Sequence, residues 1–178
     1  MKKTAVLFDL DGTLIDPKQG ITGAFTYALG ALGMDVRPEE LLPLIGPPLR
    51  TSFRQTFHLD PATTEQAVEA YRVYFSRQGV YENTLYPGVS DLLREQHRRG
   101  RRLFIATSKP TAFARAIVAQ HGLSSYFEGV TGCELDGRRS EKAAVIQAVI
   151  DDFGLWEKSL LLLIGDRRYD VEAAKADG

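Results

Sequence analysis

The stretch FDLDGTL at residues 8–14 decides the fold, because it ends a short apolar run with two aspartates. Residues 4–8 form that run, which is continuous, rich in β-branched and aromatic side chains and typical of a buried parallel strand. In open α/β sheets the ligand crevice lies at the carboxyl ends of the strands. Asp9 and Asp11 at such an end predict a nucleophile and an acid/base that share a metal ion. An Asp-Gly turn after an edge strand is the alternative, and Gly12 fits both interpretations.

The composition is that of an ordinary globular protein with one main core, since 44% of its 178 residues are hydrophobic and 25% are charged. The formal net charge of −1 gives no electrostatic reason to bind nucleic acid or an anionic membrane. Cys133 is the single cysteine, which excludes an internal disulfide and favours a reducing compartment. No stretch approaches the length of a membrane span, so we expect a cytoplasmic protein.

Three further segments resemble the first strand, at residues 102–106, 127–131 and 160–164. Apolar residues with helical spacing predict amphipathic helices beside them, and glycines at the ends of these helices are typical stop signals. Strands that alternate with single helices predict parallel β-α units, with helices on both faces of the sheet. The fold class expected is therefore α/β.

The span from Asp16 to Asn83 interrupts this alternation, because it contains helical patterns and no convincing strand. One helix is predicted to end at Gly33, a second carries Phe53 on its apolar face, and a third starts at Asp60-Pro61. We therefore predict a helical domain at residues 16–83, inserted into a core domain of residues 1–15 and 84–178.

Polar side chains stand where the chain reaches the carboxyl ends of the predicted strands. In chain order they are Asp9 and Asp11, Thr107 and Ser108, Lys142 at the start of a helix, and Asp166 and Asp170. Clustered carboxylates need a cation in a dry crevice, and oxygen ligands suit Mg²⁺, which also takes a substrate phosphate as a ligand. Thr107, Lys142 and the backbone amide of Ser108, near a helix N-terminus, can then bind phosphoryl oxygens.

Each of these groups also has a structural interpretation. Thr107 and Ser108 fit ordinary helix caps, and Lys142 fits a solvated lysine in the first turn of a helix. Residues 166–170 fit a solvated helix start whose acids complement the helix dipole. The order of the groups, each at a strand end, favours a functional site.

The ordered set Asp9-x-Asp11-Gly12-Thr13, then Thr107, Lys142 and Gly165-Asp166-x-x-x-Asp170, resembles the four-motif signature of the haloacid dehalogenase-like hydrolase superfamily. The resemblance covers nearly the whole chain. It implies a Rossmann-like parallel sheet as the core, and the inserted helices resemble the α-helical cap of that superfamily. The chain looks like the phosphoglycolate phosphatase-like branch. Residues 45–49, 85–89 and 106–110 also resemble a bacterial subgroup described as 5′-nucleotidase-like.

The resemblance implies a Mg²⁺-dependent phosphomonoesterase with an aspartyl-phosphate intermediate. Asp9 would attack phosphorus in line, and Asp11 would protonate the leaving alkoxide and later deprotonate the attacking water. Thr107 and Lys142 would bind the phosphoryl group. The Mg²⁺ ion would be held by Asp9, the backbone carbonyl of Asp11 and Asp166, with Asp170 as a ligand or behind the ligands.

Asp11 also discriminates between branches of the superfamily. Dehalogenases similar to this chain lack an acid at that position, because halide leaves without a proton, whereas the alkoxide of a phosphate ester needs one. Phosphonatases of similar build use a lysine of the cap, and Lys18 is the only lysine between residues 16 and 83. Both branches therefore fit this sequence less well than a phosphatase.

The implied partner is a small phosphorylated metabolite, either phosphoglycolate or a nucleoside 5′-monophosphate, with no nucleic-acid polymer and no membrane. Arg50 follows the turn at residues 46–48 and is the candidate to bind a second anionic group on the substrate. A phosphosugar mutase and a non-catalytic phosphate-binding module are further alternatives, and we expect a monomer or homodimer. The sequence ends at Gly178, where relatives usually continue, so we expect a missing terminal segment or a truncated protein.

Overall fold

The computed structural model describes residues 4–136, 138–139 and 141–176, and the chain divides into two compact units. One unit comprises Met1–Asp16 and Leu85–Gly178, and the other comprises Pro17–Thr84. The identification of these units as a catalytic core and a cap stays a prediction. Gly178 lies outside the described residues.

A parallel sheet forms the centre of the first unit, with the strand order β5-β4-β1-β6. The short strands β2 and β3 pair with each other in a separate sheet. The bounds are β1 (Ala5–Phe8), β2 (Ile15–Asp16), β3 (Thr84–Leu85), β4 (Arg102–Pro110), β5 (Gly129–Cys133) and β6 (Leu161–Ile164). The prediction of an α/β fold with a Rossmann-like parallel sheet is confirmed.

The β1 strand is apolar throughout because it lies between two other strands. Leu7 is in register with Phe104 of β4 on one side and with Leu163 of β6 on the other. All four residues of β1 are at most 2% exposed. A parallel strand covered on both faces has no solvent side that would favour polar residues.

Helices flank this sheet and make up most of the second unit. The bounds are α1 (Lys18–Ala31), α2 (Leu49–Thr56), α3 (Pro61–Arg77), α4 (Val89–Arg98), α5 (Thr111–Gln120), α6 (Lys142–Phe153) and α7 (Arg168–Ala176). Short 3-10 helices occur at Pro38–Leu44, Gly79–Tyr81, Ser124–Tyr126 and Lys158–Leu160. No helix among the described residues is both long and apolar enough to cross a bilayer.

The α6 helix connects the core to the candidate site. Val145 and Val149 lie on its buried face and belong to one apolar cluster with Leu7 and Phe104 of the sheet. The helix ends at Gly154, which adopts the left-handed conformation at φ 66°. This packing fixes the first turn of α6, and with it Lys142, against the sheet.

The second unit has its own aromatic core. The ring centroid of Phe25 lies 5.1 Å from those of Phe53 and Tyr71, which brings α1, α2 and α3 together. The α3 helix starts as predicted, since the Asp60 carboxylate accepts hydrogen bonds from the N–H groups of Ala62 and Thr63.

Two predicted strands differ from the observed strands by more than one residue at an end. The third sheet strand begins at Gly129 rather than at residue 127, because its register with β4 starts where Gly129 meets Phe104. The β4 strand continues past residue 106 to Pro110, through an irregularity in its pairing with β5. This longer strand carries Thr107 and Ser108, and α5 starts only afterwards.

Candidate active site

A tight loop after β1 carries the first two carboxylates. The Asp9 backbone N–H donates to the carbonyl of Ile164 at 2.8 Å, which extends the pairing of β1 with β6 by one residue. Gly12 turns the chain at φ 86° and donates its N–H to the carbonyl of Ile15. The loop thus leaves Asp9 only 7% exposed at the carboxyl end of the central strand.

A buried lysine joins Asp9 to the last strand. Lys142 Nζ lies 2.9 Å from Asp9 Oδ1 and 2.7 Å from Asp170 Oδ1, and all three residues are buried. The interpretation of Lys142 as a solvated helix-start lysine is therefore wrong. A cation between two carboxylates offsets their repulsion and directs positive charge at the atom proposed to attack phosphorus.

The environment of Asp9 opposes its ionisation overall. Burial raises the pKa of this carboxyl and outweighs the charge and hydrogen bond of Lys142, which lower it. The nearby carboxylate of Asp170 raises the pKa further. The protein therefore holds this carboxylate in an environment that further positive charge would favour.

Three carboxylates meet where a cation fits. Asp9, Asp166 and Asp170 each offer an oxygen, and these oxygens lie within 4.8 Å of one another. Asp166 is oriented by the Thr13 hydroxyl, which donates to its Oδ1 at 3.0 Å. A Cβ on Gly12 would lie 2.4 Å from Asp166 Oδ2, so only glycine leaves this carboxylate in place. A set of carboxylate oxygens suits a hard cation such as Mg²⁺.

Asp170 is the most firmly held of the three carboxylates. Its Oδ2 accepts a hydrogen bond from the backbone N–H of Arg167 at 3.0 Å, while its Oδ1 contacts Lys142. With both oxygens engaged, Asp170 suits a role behind the metal ligands better than a direct one. At 3% exposed it is no solvated helix-start acid.

The β4 strand delivers a second lysine that sequence reasoning left unassigned. Lys109 Nζ lies 2.8 Å from Asp11 Oδ2, and the Lys109 N–H donates to the Thr107 hydroxyl oxygen at 3.2 Å. Thr107 is 1% exposed and Ser108 is exposed. The α5 helix is preceded by Pro110 at its N-cap, so Thr107 and Ser108 do not cap it. Period-two alternation places Thr107 and Lys109 on one face, and is the signal that indicates Lys109.

Arg50 belongs to the helical unit and is engaged there. Its guanidinium donates through Nε and Nη2 to the two carboxylate oxygens of Glu65, at 2.6 and 2.8 Å. The Arg50 side chain is 44% exposed. A role in substrate binding would require it to exchange this partner, and stays a prediction.

Comparisons with known proteins point to one family. A family model described as haloacid dehalogenase-like hydrolase matches residues 6–178. The chain belongs to this family. The crystal structure of a predicted phosphatase from Clostridium acetobutylicum superposes with a TM-score of 0.92 at 38% identity, covering 99% of this chain and 82% of that one.

Relatives carry several functional names. A 5′-nucleotidase of Pseudomonas aeruginosa is 42% identical over 175 residues, which are 97% of this chain and 78% of that protein. Tyrosine-protein kinase PtkA of Mycobacterium tuberculosis is 36% identical over 97% of this chain, but only 59% of PtkA is covered. A phosphoglycolate phosphatase of Vibrio parahaemolyticus is 29% identical over 97% of this chain and 79% of that protein. The predicted family and the enzyme class of phosphatase are confirmed.

Proposed function

We propose that this chain hydrolyses a small phosphomonoester through an aspartyl-phosphate at Asp9, with Mg²⁺ as cofactor. The observation that carries the proposal is the buried Lys142, whose Nζ contacts both Asp9 and Asp170. This arrangement supplies a preorganised cation beside the carboxylate that is proposed to attack phosphorus.

The reaction takes place in two steps. In the first, an Asp9 oxygen forms a bond to phosphorus while the ester oxygen departs and takes a proton from Asp11. In the second, water attacks the phosphorus of the aspartyl-phosphate and gives a proton to Asp11, which releases phosphate and restores the Asp9 carboxylate. Splitting the transfer in this way replaces one difficult displacement by two easier ones.

Asp9 and Asp166 would hold the Mg²⁺ ion, together with the backbone carbonyl of Asp11, and Asp170 would be a ligand or stand behind the ligands. The ion supplies positive charge that offsets the charge on the phosphate. The three neighbouring carboxylate oxygens and the raised pKa of Asp9 both support a cation at this place.

Thr107 and Lys142 would bind the phosphoryl oxygens, and the backbone amide of Ser108 is a further candidate donor. The hydroxyl of Thr107 is buried with the site, and Lys142 already holds the attacking carboxylate. The proposed partner is a phosphoglycolate-like metabolite, for which the Vibrio parahaemolyticus relative is the support. The 42% identity to a 5′-nucleotidase favours nucleoside 5′-monophosphates as the second candidate.

Phosphate release from a panel of phosphomonoesters, with and without Mg²⁺, tests the proposal. We expect Asp9→Asn to lower Mg²⁺-dependent release by a factor of at least about 1,000, because it removes the nucleophile. Asp152→Asn makes the same chemical change at an exposed position of α6 and should leave release unchanged. The ranking of phosphoglycolate against nucleoside monophosphates decides the substrate class. Folded wild-type protein that releases no phosphate would overturn the proposal.

A further inference from the structure

Lys109 forms an ion pair whose burial needs an explanation. Its side chain is 6% exposed and that of Asp11 is 19% exposed, with 2.8 Å between Nζ and Oδ2. Lysine is seldom buried, and taking two charges out of water costs free energy that their attraction does not always restore. Such a pair is weak evidence for stability, and its main consequence concerns the carboxylate of Asp11.

The chain bends β4 out of regular pairing at this point. Ala106 is in register with Thr131, but the next register pair is Pro110 with Cys133. Between these two pairs β4 advances by four residues while β5 advances by two. Bulges of this kind re-aim side chains beside active sites. Here the bulge contains Lys109, whose side chain it directs into the protein.

The neighbouring strand is adapted to the bulge. A Cβ on Gly132 of β5 would lie 2.1 Å from the carbonyl oxygen of Lys109. The Gly132 N–H donates instead to the hydroxyl oxygen of Thr111 at 2.9 Å, just after the bulge. The missing side chain of Gly132 therefore lets β5 lie close against the Lys109 carbonyl, and the bond to Thr111 holds β5 there.

The two oxygens of Asp11 have different surroundings. Oδ2 contacts Lys109, whereas the buried Oδ1 accepts no hydrogen bond from any group that the structure describes. A general acid/base must be held where it can exchange a proton with the substrate. The contact of Oδ2 with Lys109 therefore selects one rotamer of the Asp11 carboxylate.

We propose that Lys109 is a positioning residue for the acid/base Asp11: by binding Oδ2 it holds the carboxylate in one rotamer beside β4. The inference rests on the proposed function, in which Asp11 protonates the leaving group. It divides the two lysines by task, because Lys142 serves the nucleophile Asp9 and Lys109 serves Asp11.

In this role, the effect of Lys109 on the rate of ester cleavage depends on the leaving group. An alkyl ester leaves as an alkoxide and takes a proton from Asp11 as the ester bond breaks. A nitrophenyl ester leaves as a stable phenolate, and this bond breaks without that proton. Hydrolysis of the aspartyl-phosphate needs Asp11 as a base with either substrate.

Rapid mixing of full-length Lys109→Met with p-nitrophenyl phosphate and with ethyl phosphate tests this. With the nitrophenyl ester we expect a burst of nitrophenolate at near the wild-type rate, followed by turnover slowed about 10- to 100-fold. With ethyl phosphate we expect phosphorylation of Asp9 itself to slow by about the same factor, with little change in KM. Equal slowing of the first step for both esters would overturn the inference.

Three further variants separate positioning from a loss of structure. Lys158→Met makes the same change in the 3-10 helix that precedes β6, and this variant should behave as wild type. Lys109→Arg keeps a donor and should recover part of the rate. Adding Lys109→Met to Asp11→Asn should cause no further loss, because Lys109 acts through Asp11. This double variant also removes both charges, which avoids an unpaired buried carboxylate if Lys109→Met folds poorly.

Failure of the inference and failure of the proposed function give different results. Asp9→Asn without loss of activity would overturn the proposed function. Activity that Asp9→Asn abolishes but that Lys109→Met leaves at the wild-type level with ethyl phosphate would overturn only the role of Lys109. Additive losses in the double variant would do the same.

Discussion

Asp9 is subject to two opposing effects, since burial disfavours its charge and Lys142 favours it. Burial prevails and the pKa of Asp9 is raised from its ordinary value of 3.8. The folded protein therefore favours the protonated form more than the unfolded chain does. The stability that Asp9 contributes is therefore fully present below its unfolded pKa and is lost as the pH rises through its folded pKa. Above its folded pKa, the ionised Asp9 is a cost in stability that its proposed role in catalysis requires.

Asp9→Asn removes that cost, because the amide cannot ionise. We expect a higher Tm than wild type at neutral pH in EDTA, and a difference that shrinks as the pH falls through the folded pKa of Asp9. Thermal unfolding over a pH series measures this, with Asp152→Asn as the exposed control. A lower Tm for Asp9→Asn at neutral pH would show that the contact with Lys142 outweighs burial.

Gly12 and Gly88 form a matched pair for testing the metal site. Both have positive φ, at 86° and 84°, so an alanine is strained at either position. Only at Gly12 would the added Cβ meet Asp166. Among the described residues, none apart from the chain neighbours of Gly88 has an atom within 4 Å of a Cβ placed there. We expect both alanine variants to lower Tm, but only Gly12→Ala to weaken Mg²⁺ binding by titration calorimetry. Equal Mg²⁺ affinity in the two variants would contradict the role of Gly12.

At the scale of elements, the start of α3 depends on one carboxylate. The Thr63 hydroxyl and the backbone N–H groups of Thr63 and Ala62 hold the pKa of Asp60 below its ordinary value. The stability from this cap is therefore present above the unfolded pKa of Asp60 and is lost as the pH falls through its folded pKa. The cap also adds a negative charge at the positive end of the helix dipole.

Asp60→Ala should lower Tm at neutral pH, because it removes an acceptor for the N-terminal N–H groups of α3. Asp60→Asn keeps the acceptor without the charge, so it should retain most of the Tm and lose this part of the pH dependence. Thermal unfolding of the three proteins from neutral to acidic pH measures both effects. An Asp60→Ala Tm equal to that of wild type would contradict the cap.

The elements that could be predicted are those in which the local pattern and the tertiary environment agree. Residues 5–8 form an apolar run that is buried on both faces. The apolar face of α6, which includes Val145 and Val149, packs on the sheet. The bulge of β4 could not be predicted, because Gly132 and Thr111 from other segments fix it. The 3-10 helix Pro38–Leu44 was missed because Pro43 within it disrupts any helical apolar period.

At the scale of the whole molecule, a net charge of −1 conceals an uneven distribution of charge. Separate segments of the chain bring Asp9, Asp166, Asp170 and Lys142 together at one end of the sheet. Their order along the sequence predicted this meeting, because parallel strands end at a common edge. Lys109 was not assigned, because its alternation with Thr107 is informative only if β4 continues past residue 106, where the predicted strand ended.

The same cluster predicts how the protein responds to metal. Mg²⁺ relieves the repulsion between carboxylates that only the folded chain brings together, so it should bind the folded state and raise Tm. At 100 times its Kd the stabilisation would be about 2.7 kcal/mol. Differential scanning calorimetry in Mg²⁺, against NaCl of equal ionic strength, measures the shift. Asp166→Asn should abolish most of it, because that side chain is free of the lysine contacts that hold Asp9 and Asp170. If Mg²⁺ raised the Tm of Asp166→Asn as much as that of wild type, the ion would bind somewhere other than this carboxylate cluster. The substitution leaves the contacts of Lys142 with Asp9 and Asp170 in place, so such a result could not be attributed to their loss.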